Sequence, residues 1–549
     1  MRVDVESVTA SAHSQPSPVD IEHEPVAEDD PRLWSTFRKR LILIAVSFAS
    51  LIATQAANIQ NPGVMHIEEE MNASSSEVSW SLSVFILLQG LFPFIWSAVS
   101  EIKGRKIVYL TSMTLFTIGS TAVALAPTMP VVIGMRCIEG AGGSAVFAIG
   151  AATLADIYEV ADRGSVMGLY HAAPSLGRAL APLLGGALSQ GFSWRAIYWD
   201  LVIFGSVLAL VFLLFYKDTF RRERSLTYQL ALSRREKDLM TKRSVSERGP
   251  PRIPSPELPP AIMLREIVGD SKQYNLTMMT TVRDDEASRK DTVVYKIDLG
   301  TVPPGREVAG TKVADLQLSF RDVNPLKPLW RVLRRVHNLA ILTSSALIFG
   351  FFYSISYTTG RTLGRAYGYN SLEIGLVLFN YGIGTICGSL LGGKWSDVVV
   401  ARMTHSNGGR YYPEMRLQST KIMMPLLPFA VAGYAWSCQK HLHIAAICIM
   451  LFLAGFFSMW IYSSTLSYIV DANTGRSSMA VAADGLFRGI AAFVAAEIAI
   501  PLQDNIGDGG LYTMWAALLL VGELLILMTI RQGSWWRERS QRRDEMQGN

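Results

Sequence analysis

The chain has 549 residues, 50% hydrophobic and only 18% charged, with a mean hydropathy of +0.25. An ordinary soluble protein carries about 25% charge, so a string of soluble domains is excluded, and the hydrophobicity excludes disorder throughout. Four scattered cysteines, Cys137, Cys387, Cys438 and Cys448, exclude a disulfide scaffold and a zinc site.

The net charge of +5 is segregated along the chain. Residues 1–31 carry a net −7, residues 217–337 carry +8, and residues 531–549 carry +2. Most of the remainder is apolar runs of the ~20 residues needed to cross a ~30 Å bilayer core. In chain order they are 40–60, 78–100, 107–126, 131–155, 166–190, 196–216, 338–360, 371–395, 420–438, 444–468, 478–501 and 510–530. The expected fold is an all-α membrane protein of twelve transmembrane helices in two pseudo-symmetric six-helix bundles, 40–216 and 338–530. An N-tail (1–39), a long and largely disordered loop (217–337) and a C-tail (531–549) complete the chain.

The acidic, polar opening is not a signal peptide, so the first run is expected to act as an anchor with the N-terminus in the cytosol. Basic residues agree with that orientation. Arg38, Lys39, Arg40, Lys103, Arg105, Lys106, Lys217, Arg221, Arg331, Arg334, Arg402, Arg416 and Arg531 fall on the expected inner side, whereas the outer connections hold only Arg195, Arg361, Arg365 and Lys440. In the central loop, a strand is expected near 292–298 and a short basic amphipathic helix over 329–336, lying on the inner leaflet. Arg222-Glu223-Arg224-Ser225 has the pattern of a basophilic kinase site, so the loop is where a kinase or regulatory partner is expected. Asn72-Ala73-Ser74 is a glycosylation sequon.

The two sets of six runs echo each other. Ser97-Ala98-Val99-Ser100-Glu101 follows the second run and Gly393-Lys394-Trp395-Ser396-Asp397 the eighth. Asp156 precedes Arg163 after the fourth, and Asp471 precedes Arg476 after the tenth. Two related six-helix halves form the pattern of transporters that rock around a midplane site. Three motifs sharpen it: Ser100-Glu101-Ile102-Lys103-Gly104-Arg105-Lys106, Arg136-Cys137-Ile138-Glu139-Gly140, and Gly177-Arg178-Ala179-Leu180-Ala181-Pro182-Leu183-Leu184-Gly185-Gly186. On these residues the chain resembles the major facilitator superfamily, and within it the fungal twelve-span drug:proton antiporters of the quinidine-resistance and polyamine-exporter branch. It departs from the family pattern at Ser97, Glu101, Ile102, Glu139 and Ala181.

The resemblance implies a secondary transporter working by alternating access, with a small-molecule substrate and protons as its partners and the lipid bilayer as its setting. It implies no cofactor, no metal and no nucleic acid. No P-loop is present, and no enzyme chemistry is expected. The plasma membrane is the expected location, with the vacuolar membrane as the alternative.

The loop motif reads as a latch. Gly104 permits a tight turn, Arg105 and Lys106 follow the membrane face, Glu101 is placed to pair with Arg163, and Asp397 repeats the acid in the second half. The antiporter helix motif (Gly177, Ala181, Pro182, Gly185, Gly186) reads as a surface that lets another helix approach closely.

Charges inside apolar runs are costly and face a cavity or a partner. Arg136 and Glu139 share one helix face, and the next hairpin places Arg178 at a similar depth. The three are expected to form one buried network in which Glu139 exchanges the coupling proton with help from Arg136 and Arg178. A permanent structural pair is the plainer alternative. Asp484 and Arg488 form a second pair, structural or coupling. Gln55, Asn58, Gln89, Tyr353, Tyr357, Asn380, Tyr381 and Trp460 are expected to line the substrate pathway, where aromatic rings suit cations. The leading functional reading is proton-coupled export of organic cations, polyamines or drugs. The alternative is export of organic anions, carboxylates or acidic metabolites, anchored on Arg178 or Arg136. A receptor that signals through the central loop is the remote third.

Overall fold

The computed structural model describes residues 29–222, 225, 228, 326–473 and 477–546. The chain divides into two units, 1–228 with 317–549, and 229–316. The second unit falls outside the described residues, as do the expected strand and most of the kinase-site pattern. Among the described residues the structure is entirely helical.

The helices are α1 (Thr36–Ala56), α2 (Val64–Met71), α3 (Ser75–Leu91), α4 (Pro93–Lys103), α5 (Arg105–Ala124), α6 (Met129–Gly143), α7 (Ala145–Ile157), α8 (Val160–Gly191) and α9 (Trp194–Phe215). After the long loop come α10 (Leu326–Leu333), α11 (Val336–Tyr367), α12 (Ser371–Ser406), α13 (Glu414–Gln418), α14 (Leu426–Gln439), α15 (Ile444–Ala472) and α16 (Ser477–Met546). The chain is a multi-pass membrane protein. Eight helical stretches are long and apolar enough to cross a membrane, and the α3–α4 pair, bent by 41°, makes a ninth.

This tally differs from the twelve expected runs for identifiable reasons. Gly507 (φ 69°, ψ 176°) puts a sharp kink between the eleventh and twelfth runs, which otherwise follow each other directly within α16. The ninth run starts as a series of turns and becomes helical only at Leu426. α8 carries Pro174 and Pro182 and several polar residues, which dilute its hydropathy. Two helices run further than expected. α12 continues to Ser406, and α16 continues through the C-tail to Met546.

Local chemistry sets the helix starts. Ser74 and Glu77 form a reciprocal capping box at α3, and Asn370 and Glu373 form another at α12, so that orphan N–H groups are satisfied without water. The first six membrane helices pack among themselves, as do the last six. The two sets meet where α8 lies along α12 and where α3 lies along α16.

The N-terminal segment is stapled to the chain leaving α9. Asp29 pairs with Lys217, its backbone carbonyl accepts from Arg221 Nη2 at 2.6 Å, and its Oδ1 accepts from Trp34 Nε1 at 3.0 Å. Hydrogen bonds from Lys217 and Trp34 hold the Asp29 carboxyl below the usual carboxylate range. The expected basic helix before the seventh run is present as α10, with Trp330 67% exposed.

Candidate functional site at the bundle interface

Arg136 and Glu139 lie one turn apart on α6 and are fully buried. Arg136 Nη1 is 3.0 Å from Glu139 Oε2. Its guanidinium also donates to the Ala56 carbonyl (3.1 and 3.2 Å) and to the Ser81 carbonyl (3.4 Å), and it lies 4.1 Å from the Phe85 ring centroid. Glu139 Oε1 accepts from Ser120 at 2.8 Å. Both carboxylate oxygens and the guanidinium are therefore satisfied by α1, α3, α5 and α6. A buried pair repays its desolvation only with such complete bonding.

Arg178 does not join this pair. Its Nη2 donates to Ser175 Oγ at 3.1 Å, its Nε is buried without a partner, and its electrostatic neighbours are Arg488, Tyr353, Tyr462 and Tyr381. The expected three-residue network is thus corrected. Depth along a helix can be counted from sequence, but rotation about the axis cannot. The rotation is set by the small residues of α8. A Cβ on Gly177 would meet the Leu51 carbonyl at 2.4 Å, and one on Gly185 the Ile59 carbonyl at 1.9 Å, so both glycines face α1. Arg178, one residue on from Gly177, turns toward the other bundle. Among the described residues it forms no ion pair.

The second expected pair is present and forms the other wall. Arg488 Nη1 is 3.3 Å from Asp484 Oδ2, and the Tyr462 hydroxyl donates to the same oxygen at 3.2 Å while accepting from Arg488. Asp484 is buried, and its Oδ1 has no partner. Arg488 lies 4.1 Å from the Phe349 ring centroid, and its Nε is also buried and unpartnered. Yet 31% of its side chain stays accessible although it lies well inside a membrane helix, which points to an aqueous cavity rather than lipid. Tyr353 lies near both arginines and beside Asn58, and the Tyr381 hydroxyl, also near Arg178, is buried without a partner.

The other expected lining residues are engaged elsewhere. Gln55 Nε2 donates to Asp200 Oδ2 at 3.0 Å, and Gln89 Nε2 donates to the Ala53 carbonyl at 2.8 Å. Asn380 Nδ2 donates to the Cys448 carbonyl at 2.6 Å, tying α12 to α15. Trp460 packs over Gly392 and against Phe456. Tyr357 donates to the Ser75 carbonyl at 3.2 Å, closing α11 against the start of α3. Asp200 escaped the sequence reading although it was visible as an acid inside the sixth apolar run. Glu497 accepts from Ser83 at 2.5 Å and Ser79 at 3.5 Å, joining α16 to α3.

These last contacts belong to a closed face. Near the start of α12, a Cβ on Gly186 would meet the Ser371 carbonyl at 2.4 Å, one on Gly375 the Pro182 carbonyl at 2.5 Å, and one on Gly382 the Ala179 Cα at 2.4 Å. Ala181 is fully buried. The antiporter motif thus presents one side to α1 and another to α12, and α8 is assigned as helix straight through Pro182.

The latch residues lie at the face that carries α1's start. Gly104 (φ 89°) makes a one-residue turn between α4 and α5, a conformation costly for any residue with a Cβ. The place of that Cβ is taken by Asp218, whose Oδ1 accepts from the Arg105 backbone at 3.0 Å. Arg105 Nε is 3.4 Å from Asp156, its Nη1 donates to Ser100 Oγ at 2.5 Å, and Lys106 donates to the Leu213 carbonyl at 3.1 Å. Glu101 lies in the field of Arg105. The side chain of Arg163, its expected partner, falls outside the described residues.

In the second half Arg416 Nη1 is 2.9 Å from Asp397, and its Nε binds Asp471, which also accepts from Tyr411. Burial alone would lower the Arg416 pKa, but the hydrogen bonds to Asp471 and Asp397 outweigh it and hold the guanidinium above its usual range. Burial and the bond to Asp471 push the Tyr411 phenol up to about 12.

Residues 46–496 match the family model of the Major Facilitator Superfamily. The chain is 29% identical to the MFS antiporter QDR3 of Candida albicans over 93% of this chain and 80% of that protein. It is 22% identical to citrate exporter 1 of Aspergillus niger over 97% and 93% of the two chains. The human organic anion transporter MFSD10 has the same fold, with a TM-score of 0.53 and 17% identity over 89% of this chain and 99% of that one. The chain is therefore a transporter, and it belongs to the major facilitator superfamily, among relatives that include a fungal antiporter and a fungal multidrug transporter.

Proposed function

We propose that this transporter exports organic anions in exchange for protons, with Arg178 as the anion's anchor. The observation that carries the reading is the guanidinium of Arg178, set among Arg488 and three tyrosines with a buried, unpartnered Nε and no carboxylate pair among the described residues. An uncompensated cation in a low-dielectric interior attracts an anion and repels a cation. The name of the citrate-exporting relative agrees. Asp484 is the proton carrier in this reading, because its Oδ1 is unengaged, whereas Glu139 is bonded through both oxygens. The latches at Arg105 and Arg416 lie on the cytosolic side, with both termini, and the plasma membrane is the site of residence.

Export of a cationic drug is the second reading. It is favoured by the rings of Phe349, Tyr353, Tyr381 and Tyr462 around the site, which suit a cation, and by the kinship with a drug antiporter. Transport into inside-out vesicles under an imposed proton gradient separates the two. Anion export predicts succinate or citrate uptake that is lost in Arg178→Gln. Spermidine uptake that survives or improves in Arg178→Gln would establish the second reading instead.

A further inference from the structure

Resting on the anion reading, we propose that the site selects dianions: one carboxylate binds Arg178, and a second displaces Asp484 from Arg488.

The two arginines come from opposite bundles, α8 and α16, and are close enough to repel each other. Two like charges in one interior are tolerable only if something negative joins them in the working cycle. Asp484 supplies part of that charge, but to one arginine only. It reaches Arg488 through a single oxygen at 3.3 Å, a length at the loose end for a charged pair. The bonding left over points the same way. Arg178 Nε, Arg488 Nε and the Tyr381 hydroxyl are all buried donors without an acceptor. Buried donors are rarely left unmet. Three such donors, on three helices that meet where Gly382 packs on Ala179 and where Arg178 lies near Arg488 and Tyr381, call for an oxygen-rich ligand with separated acceptors. A monoanion satisfies one guanidinium and leaves the other with its aspartate. A dicarboxylate satisfies both and ties the bundles together, and it is then the ligand whose binding energy bears on their relative movement.

Exchange at Arg488 is carboxylate for carboxylate. Asp484 keeps the Tyr462 hydroxyl when it lets the guanidinium go, so its release leaves no oxygen newly stranded. Tyr353 lies near Arg178 and Arg488 alike.

The test is binding of labelled succinate and of butyrate, a monoanion of equal chain length, to the purified full-length transporter in nanodiscs. The wild type is expected to bind succinate at least about tenfold more tightly than butyrate, the worth of one charged hydrogen-bonded contact. Arg488→Gln should erase that preference by weakening succinate alone, Arg488→Lys should keep part of it, and Asp484→Asn should tighten succinate by freeing Arg488. The proposal is overturned if Arg488→Gln weakens both acids equally, or if the preference for succinate persists in it. Should Arg488→Gln fail to fold, an Asp484→Asn variant with unchanged or weaker succinate binding overturns it as well. If butyrate and succinate bind equally well to the wild type and both are lost in Arg178→Gln, the dianion site fails while the anion reading stands. If neither acid binds and spermidine does, the anion reading itself has failed.

Discussion

Arg136 Nη1 sits 3.0 Å from Glu139 Oε2, one turn along the same helix, and solvent reaches neither side chain. Breaking a buried pair costs ~3–5 kcal/mol because it strands the remaining charge. Glu139→Gln is therefore expected to lower the thermal midpoint markedly, as read by fluorescence-detected size exclusion after heating. The folded fraction should retain proton-driven transport. Loss of proton dependence in well-folded Glu139→Gln would return the carrier role to Glu139.

Gly375 has no room for a methyl group, since a Cβ would lie 2.5 Å from the Pro182 carbonyl, backbone against helix. Gly375→Ala should prop the bundles apart on the face that is closed here. Distances between spin labels placed on α8 and α12 should lengthen and transport should fall, with folding preserved. Unchanged distances would mean that α12 yields locally instead.

Gly104→Ala combines a positive φ with a collision, its Cβ falling 1.9 Å from Asp218 Oδ2. The conformational cost alone is ~1–3 kcal/mol, because φ 89° with ψ 168° lies in a region essentially reserved for glycine. Adding Asp218→Ala should recover only the steric part, so the double variant should melt between Gly104→Ala and the wild type. Full recovery would show that the positive φ costs nothing here.

Arg416 bridges Asp397 and Asp471 with different nitrogens of one planar group. A lysine offers a single point charge and cannot reproduce that fork. Arg416→Lys is expected to slow transport nearly as much as Arg416→Ala, and either change should expose residues 407–413 to protease. Full activity in Arg416→Lys would show that charge alone suffices.

The Asp29 staple has a defined acid response. Hydrogen bonds from Lys217 and Trp34 hold the carboxyl below the usual carboxylate range. For a lowered pKa, the contribution is complete above the ordinary value and disappears only as the pH falls through the lowered one. Trypsin cleavage near Lys217 should therefore be equally slow at neutral and mildly acidic pH, and fast at all pH values in Asp29→Asn. Acceleration already at pH 5 would contradict the pairing.

What the sequence made legible was whatever depends on length and period. The twelve apolar runs fall largely in helix, although only eight or nine stretches are separately long and apolar enough to cross a membrane, the pairs Arg136–Glu139 and Asp484–Arg488 follow from spacings of three and four, and Gly104 announces a tight turn. Partners across helices were not legible. Arg178 turned from Glu139 to the tyrosines because backbone contacts at Gly177 and Gly185 fix the rotation of α8. Gln55, expected in the pathway, was claimed by Asp200, its hydrogen-bond partner in space but 145 residues away in sequence. Arg105 reaches Asp156, 51 residues away, and Arg416 reaches Asp397 and Asp471, 19 and 55 residues away, contacts that only the folded packing supplies.

The staple between Asp29, Lys217 and Arg221 has one further consequence. The exit from α9 is held by its own half of the molecule, with Asp218 seated in the Gly104 turn. Nothing in that anchorage requires covalent continuity with the residues beyond 228. Two polypeptides, 1–228 and 317–549, made separately in one membrane, carry all the contacts needed to find each other through α8 with α12 and α3 with α16. The transporter is in this sense a heterodimer written on a single message.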